Sequence, residues 1–161
     1  MKKGKQQKTN AIRLLEKAKI DFQLHEYPWR EDHLADQTSL EGLDASKQKL
    51  YKTIVTNGDK TGVIVACILG TSEINLKSLA KASGNKKMEL VHLSELEKIT
   101  GYIRGGCSPI GMKKMFPVYL SKDAEKLERI IVSAGRRGFQ VELNPEDLKK
   151  LVNAEYADIE A

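Results

Sequence analysis

Aromatic residues are scarce in this chain, making up 6% of its 161 residues. None is placed like the stacking pair of an RNA-recognition sheet, so sequence-specific reading of single-stranded bases is not expected. Cysteine is scarcer still. Two residues, Cys67 and Cys107, cannot build a disulfide framework. No Cys-x-x-Cys pair exists, and His25, His33 and His92 lack ligand spacing, so no metal is expected. No Gly-x-Ser-x-Gly elbow announces a serine nucleophile. Long apolar runs are missing too: the longest, Val63 to Leu69, is seven residues, against the roughly 20 that a membrane-spanning helix needs. The basic start Met1-Lys2-Lys3-Gly4-Lys5-Gln6-Gln7-Lys8 has no apolar stretch behind it and is not a signal peptide. It reads as a flexible tail over residues 1–8, ahead of a single domain over 9–161. The expected protein is soluble and cytoplasmic, with no cofactor, metal or membrane.

Charge and apolar content are ample. Lys and Arg number 27 against 22 Asp and Glu, a formal net charge of +5 that suits a polyanionic partner without requiring one. Hydrophobic residues make up 40%, enough for a core, and a chain of this length buries roughly two thirds of its unfolded surface.

Thr9 or Asn10 can cap a first helix whose face is Ala11, Leu14, Leu15 and Ala18. Phe22 to Tyr27 alternates like a short strand, stopped by Pro28, and residues 28–49 read as loop. Tyr51–Thr56 and Val63–Leu69 form two strands, with the Asn57-Gly58 pair expected to turn the hairpin. The second strand is apolar on both faces and should lie centrally. A helix capped by Asn75 ends at Gly84, and Met88 to Val91 is a short strand. Ser94 and Glu97 suggest a capping box for a helix stopped by Gly101. Three strands follow at Pro117–Leu120, Arg129–Ser133 and Phe139–Leu143, then a helix opened by Asn144-Pro145. Without regular β-α-β alternation, the expected fold is α/β of the α+β type: a mixed, largely antiparallel sheet or partial barrel surrounded by helices.

The chemistry-bearing residues are few. The loop Gly101 to Lys114 contains four glycines whose turns can aim N–H groups at an anion or a carbonyl oxygen. It nearly spells a phosphate-binding P-loop, but Met112 separates Gly111 from Lys113 and no Ser or Thr follows. Cys107 has no histidine tied to it, so it reads as an unreactive thiol. Lys52 shares a strand face with Ile54, an apolar wall that shelters its ammonium. The doublets Lys86-Lys87, Lys113-Lys114 and Arg136-Arg137 are either a solvated surface or a phosphate footprint.

Four ordered blocks resemble the YbaK/EbsC family, stand-alone relatives of the editing domain of bacterial prolyl-tRNA synthetases. These are Tyr51-Lys52-Thr53, Leu79 to Glu89, Gly101 to Lys114, and Val132 to Gly138. The resemblance runs from Lys8 to Ile159 and implies a trans-acting aminoacyl-tRNA deacylase that removes mischarged cysteine from tRNA(Pro), and also from tRNA(Cys). It implies no protein nucleophile: the substrate's thiol attacks its own ester, forming a thiolactone. Lys52 is then the catalytic residue. Tyr27, Thr53, Gly105, Gly106, Cys107, Ser108, Ser133 and Arg137 are the candidate substrate-binding residues, with amides of Gly105, Gly106 and Cys107 for an oxyanion or ribose. The partners implied are the acceptor end of mischarged tRNA and a prolyl-tRNA synthetase, not DNA. One departure stands out: Gln140 occupies a position where some relatives carry an aspartate. Two other readings stay open at this point, water-driven removal of alanine and a non-catalytic RNA-binding role.

Overall fold

The computed structural model describes residues 8–26 and 49–161. Apart from Lys8, the tail expected over residues 1–8 lies outside the described residues, as do Tyr27, His33 and the loop expected over 28–48. The cap residues act as their chemistry dictates. Helix α1 (Asn10–Lys17) starts on Thr9, whose hydroxyl accepts from the Ile12 N–H, and it buries Ala11, Ile12 and Leu15. Ala18, expected on that face, is exposed. Helix α2 (Leu76–Ser83) starts on the Asn75 side chain and ends at Gly84, left-handed at φ +82°. Helix α4 (Pro145–Val152) opens on Asn144, which accepts from the Glu146 N–H at 2.8 Å. Helix α3 (Leu93–Thr100) departs from expectation. It begins directly after His92, so Ser94 already lies inside it and forms no capping box.

Eight strands are described: β1 (Phe22–Glu26), β2 (Tyr51–Gly58), β3 (Gly62–Leu69), β4 (Met88–Leu90), β5 (Val118–Ser121), β6 (Ile130–Arg136), β7 (Phe139–Leu143) and β8 (Ala154–Ala157). They make a five-stranded sheet ordered β4-β2-β3-β5-β8 and a three-stranded sheet ordered β1-β7-β6. The β3–β5 and β5–β8 pairs are parallel and the others antiparallel. The α+β class with a mixed, unclosed sheet is therefore the observed one. Strand β3 is central. Val65 and Cys67 enter the main core, while Ile64, Ala66 and Ile68 enter a second cluster with Leu79 and Ile159.

The expected hairpin turn is displaced. Asn57 and Gly58 belong to β2, and the left-handed residue is Gly62, at φ +80°. Gly58 is small for another reason. A Cβ there would sit 2.4 Å from the Asn85 side chain, which accepts from the Lys60 and Thr61 N–H groups and donates to Thr61 and Ser83 hydroxyls. A buried asparagine thus stitches the end of α2 to the hairpin tip.

The two sheets touch where β2 begins. Leu50 bridges Ile131 in parallel sense, with the Ile131 N–H donating to the Lys49 carbonyl at 2.8 Å. Leu50 and Ile131 make a small buried cluster of their own. The strand pairing goes no further, and a slot opens between β2 and β6.

Candidate active site

Register decides which side chains meet at this slot. Two residues beyond the Leu50–Ile131 bridge stand Lys52 on β2 and Ser133 on β6. Ser133 pairs with Gln140 across β6–β7. Paired residues share a sheet face, so Ser133 and Gln140 point away from Val132 and Val141, which are buried in the main core. Leu50, Tyr51, Lys52, Thr53, Ser133 and Gln140 line a cavity closed on another side by Gly105 and Cys107, with a volume of about 80 Å³. Ligand pockets for whole drug-sized molecules run to roughly 300–1,000 Å³. This one suits a small side chain. A larger groove of about 200 Å³ between Leu14, Ile110, Met112, Phe116 and Leu151 is mostly apolar and holds none of the residues singled out in the sequence.

The glycine loop is fastened from beneath. The Tyr102 hydroxyl donates to the Ile110 carbonyl at 2.6 Å, and its ring lies where a Cβ on Gly135 would come within 2.9 Å. Gly135, at φ +93°, sits in the bulge of β6 between Ser133 and Arg136. Gly106 lies against the backbone of Arg136 and Arg137, and a Cβ there would be 3.0 Å from the Arg137 nitrogen.

These contacts sort the expected residues. Lys52, Thr53, Gly105, Cys107 and Ser133 meet at the cavity. Gly106, Ser108 and Arg137 are not among its lining residues. The Gly106 N–H donates to the Ile103 carbonyl at 2.9 Å, so that amide is already occupied. Buried Ser108 accepts from the Ile110 N–H at 3.1 Å and shapes the loop. Arg137 donates from Nε to the Arg104 carbonyl at 2.7 Å, holding the loop from outside. By contrast, the N–H groups of Gly105 and Cys107 have no acceptor among the described residues. Gln140 joins the site, although its sequence signal is only that of a departure from relatives. Its membership depends on the β6–β7 register.

The electrostatics exclude a nucleophile supplied by these side chains. Burial pushes the Cys107 thiol up to about 12, with the Thr100 hydroxyl opposing it only in part, and burial does the same to Cys67. Both are neutral thiols near pH 7. The Ser133 hydroxyl accepts from the Gly135 N–H at 3.1 Å. His25 stands opposite Gln140 in β1, yet its ring is bound to Glu142 at 2.7 Å. Burial opposes the Glu142 charge, but His25 and Lys49 together hold that carboxyl below the usual carboxylate range. His92 is exposed at the start of α3. Lys52 is half-buried, and among the described residues its ammonium has no ion-pair or hydrogen-bond partner. The site therefore combines one unpaired cation, two open amides and no general base within reach.

The model of the aminoacyl-tRNA editing domain family matches residues 35–151. The chain belongs to this family. One relative, a candidate Cys-tRNA(Pro)/Cys-tRNA(Cys) deacylase named EbsC from Enterococcus faecalis, is 54% identical over 158 residues, covering 98% of this chain and 96% of that protein. A proline–tRNA ligase of Brachyspira hyodysenteriae is 26% identical over 110 residues, which cover 66% of this chain and 19% of the ligase. Among solved structures, a candidate trans-editing enzyme for prolyl-tRNA synthetase superposes with a TM-score of 0.82 at 20% identity, covering 94% of this chain and 95% of that one. The hypothetical protein APE2540 gives 0.85 at 19% identity, covering 95% of this chain and 100% of that one. The editing-domain fold thus persists where little sequence likeness remains.

Proposed function

We propose that this protein is a trans-acting deacylase that removes cysteine from mischarged tRNA(Pro), with the aminoacyl group in the β2–β6 slot and the substrate's own thiol as nucleophile. The observation that carries this reading is a cavity with an unpaired lysine and open amides but no ionisable nucleophile or base of its own. The likeness to the Enterococcus deacylase supports the choice of cysteine.

The chemistry needs little more. The cysteinyl sulfur forms a bond to the ester carbonyl carbon, the bond from that carbon to the ribose oxygen breaks, and the thiol proton passes to the freed ribose oxygen. A cyclic thiolactone and uncharged tRNA result. Lys52 and the Gly105 and Cys107 amides stabilise the oxyanion that develops in between, an electrostatic task best done by groups fixed beforehand. The cavity's small size folds the aminoacyl group toward attack, which converts a floppy intramolecular reaction into an oriented one. Such an enzyme answers a physical need: cysteine and proline are close in size, and an apolar pocket separates near-isosteres by only about 1–3 kcal/mol. The tRNA it clears is the cytoplasmic pool that prolyl-tRNA synthetase charges, and the likeness to a segment of proline–tRNA ligases supports that pairing.

The test is a panel of tRNA(Pro) charged with cysteine, alanine or proline and incubated with the purified protein. Cysteine is expected to be released fastest, and proline to stay attached. Equal release of all three, or of none, would refute the assignment.

A further inference from the structure

Two atoms in the slot contradict the usual rule that buried polar groups find partners. Thr53 Oγ1 and Gln140 Oε1 are buried, and neither has a hydrogen-bond partner. Thr53 faces Cys67 across β2–β3, but the thiol is not in hydrogen-bonding geometry with it. Leaving such a group unpaired costs about 1–3 kcal/mol, and native structures keep few of them. Here both belong to one small cavity. That coincidence points to a ligand that brings donors.

The donor can be named by chemistry, on the assumption that the slot takes an aminoacyl ester as proposed above. Such an ester carries a carbonyl, which accepts, and an α-ammonium group, which only donates. Lys52 and the open amides of Gly105 and Cys107 can serve the carbonyl and cannot serve an ammonium. The two remaining polar groups, an amide oxygen and a hydroxyl oxygen, are acceptors. We infer that Gln140 Oε1 and Thr53 Oγ1 form the subsite for the substrate's α-ammonium group, holding it apart from Lys52.

The neutrality of Gln140 fits this division of labour. Gln140 lies one strand beyond Ser133, which stands beside Lys52 at the seam, and neighbouring strands are about 4.8 Å apart. A carboxylate at 140 would be within reach of the Lys52 ammonium and would compete with the substrate for it. The amide accepts from the substrate's ammonium and leaves Lys52 unpaired.

The test compares two substrates, cysteinyl-tRNA(Pro) and its N-acetyl derivative, in wild type, Gln140→Leu and Thr53→Val. For the free-amine ester, kcat/KM is expected to fall about 10- to 100-fold in Gln140→Leu, the range for hydrogen bonds to a charged group, and less in Thr53→Val. For the acetylated ester, wild type and variants should react at the same low rate. Melting temperature should hold or rise in both variants, because each removes a buried unpaired oxygen. Equal losses on both esters, or no loss on the free-amine ester, would overturn the subsite while leaving the deacylase reading intact. Wild-type protein inert toward the free-amine ester would overturn both.

Discussion

Replacing Lys52 with alanine should lower the rate of cysteine release by about 100-fold or more, the loss seen when one preorganised oxyanion donor is removed, with little change in stability. The asymmetry follows from the side chain's surroundings. Lys52 is half-buried and, among the described residues, bonded to nothing, so its loss breaks no native contact beyond packing of the aliphatic stem. The reaction does lose the only unpaired ammonium lining the cavity. Lys52→Arg should recover only part of the rate, because a planar five-donor fork is wider than an ammonium in so small a space. Single-turnover kinetics on cysteinyl-tRNA(Pro), with melting curves on the same samples, check the pair. A folded alanine variant with undiminished cleavage would remove Lys52 from the mechanism.

Gly106→Ala should be nearly as damaging for a different reason. The added methyl would meet backbone at 3.0 Å from the Arg137 nitrogen and 3.2 Å from the Arg136 carbonyl carbon, and backbone cannot swing aside as a side chain does. The loop must lift away from the 136–137 turn and carry the flanking Gly105 and Cys107 amides with it. Overpacking of this kind costs about 1–3 kcal/mol of stability. We expect kcat to fall by about 10- to 100-fold, since displaced amides no longer meet the developing charge. Urea unfolding and kcat measured on one preparation would show both effects, and a variant with native kcat would mean the amides play no part.

Much of the fold was legible because local chemistry and tertiary packing agreed. Asn144-Pro145 opens a helix wherever it is followed by Leu148, Leu151 and Val152 on one side, and the structure has that helix. A strand apolar on both faces, Val63 to Leu69, had to be covered twice, and it is. Failures came where a distant contact overrode a local preference. Asn57-Gly58 favours a turn, but the room Asn85 needs accounts for that glycine, and the turn moved to Gly62. Strand β8, Ala154–Ala157, is four residues long and holds its place only by pairing with β5, to which it returns after β6, β7 and α4.

The site divides the same way. Lys52 and Thr53 could be singled out because one tripeptide carries them, and Gly105 and Cys107 because the glycine loop is unusual. Which loop amides are open could not be read. That depends on the Gly106 N–H turning back to Ile103. Gln140 acquires its place only through the antiparallel register with Ser133 and the seam at Leu50 and Ile131.

The central claim, that the substrate supplies its own nucleophile, is tested most directly on the substrate. Purified wild-type protein is given tRNA(Pro) charged with cysteine or with S-methylcysteine, under single-turnover conditions. Rapid release of cysteine, with S-methylcysteine staying attached to the level of the enzyme-free control, is the predicted result. Release of S-methylcysteine at a rate comparable to cysteine would contradict the account, since an enzyme that removes a blocked thiol must be using water or a group of its own.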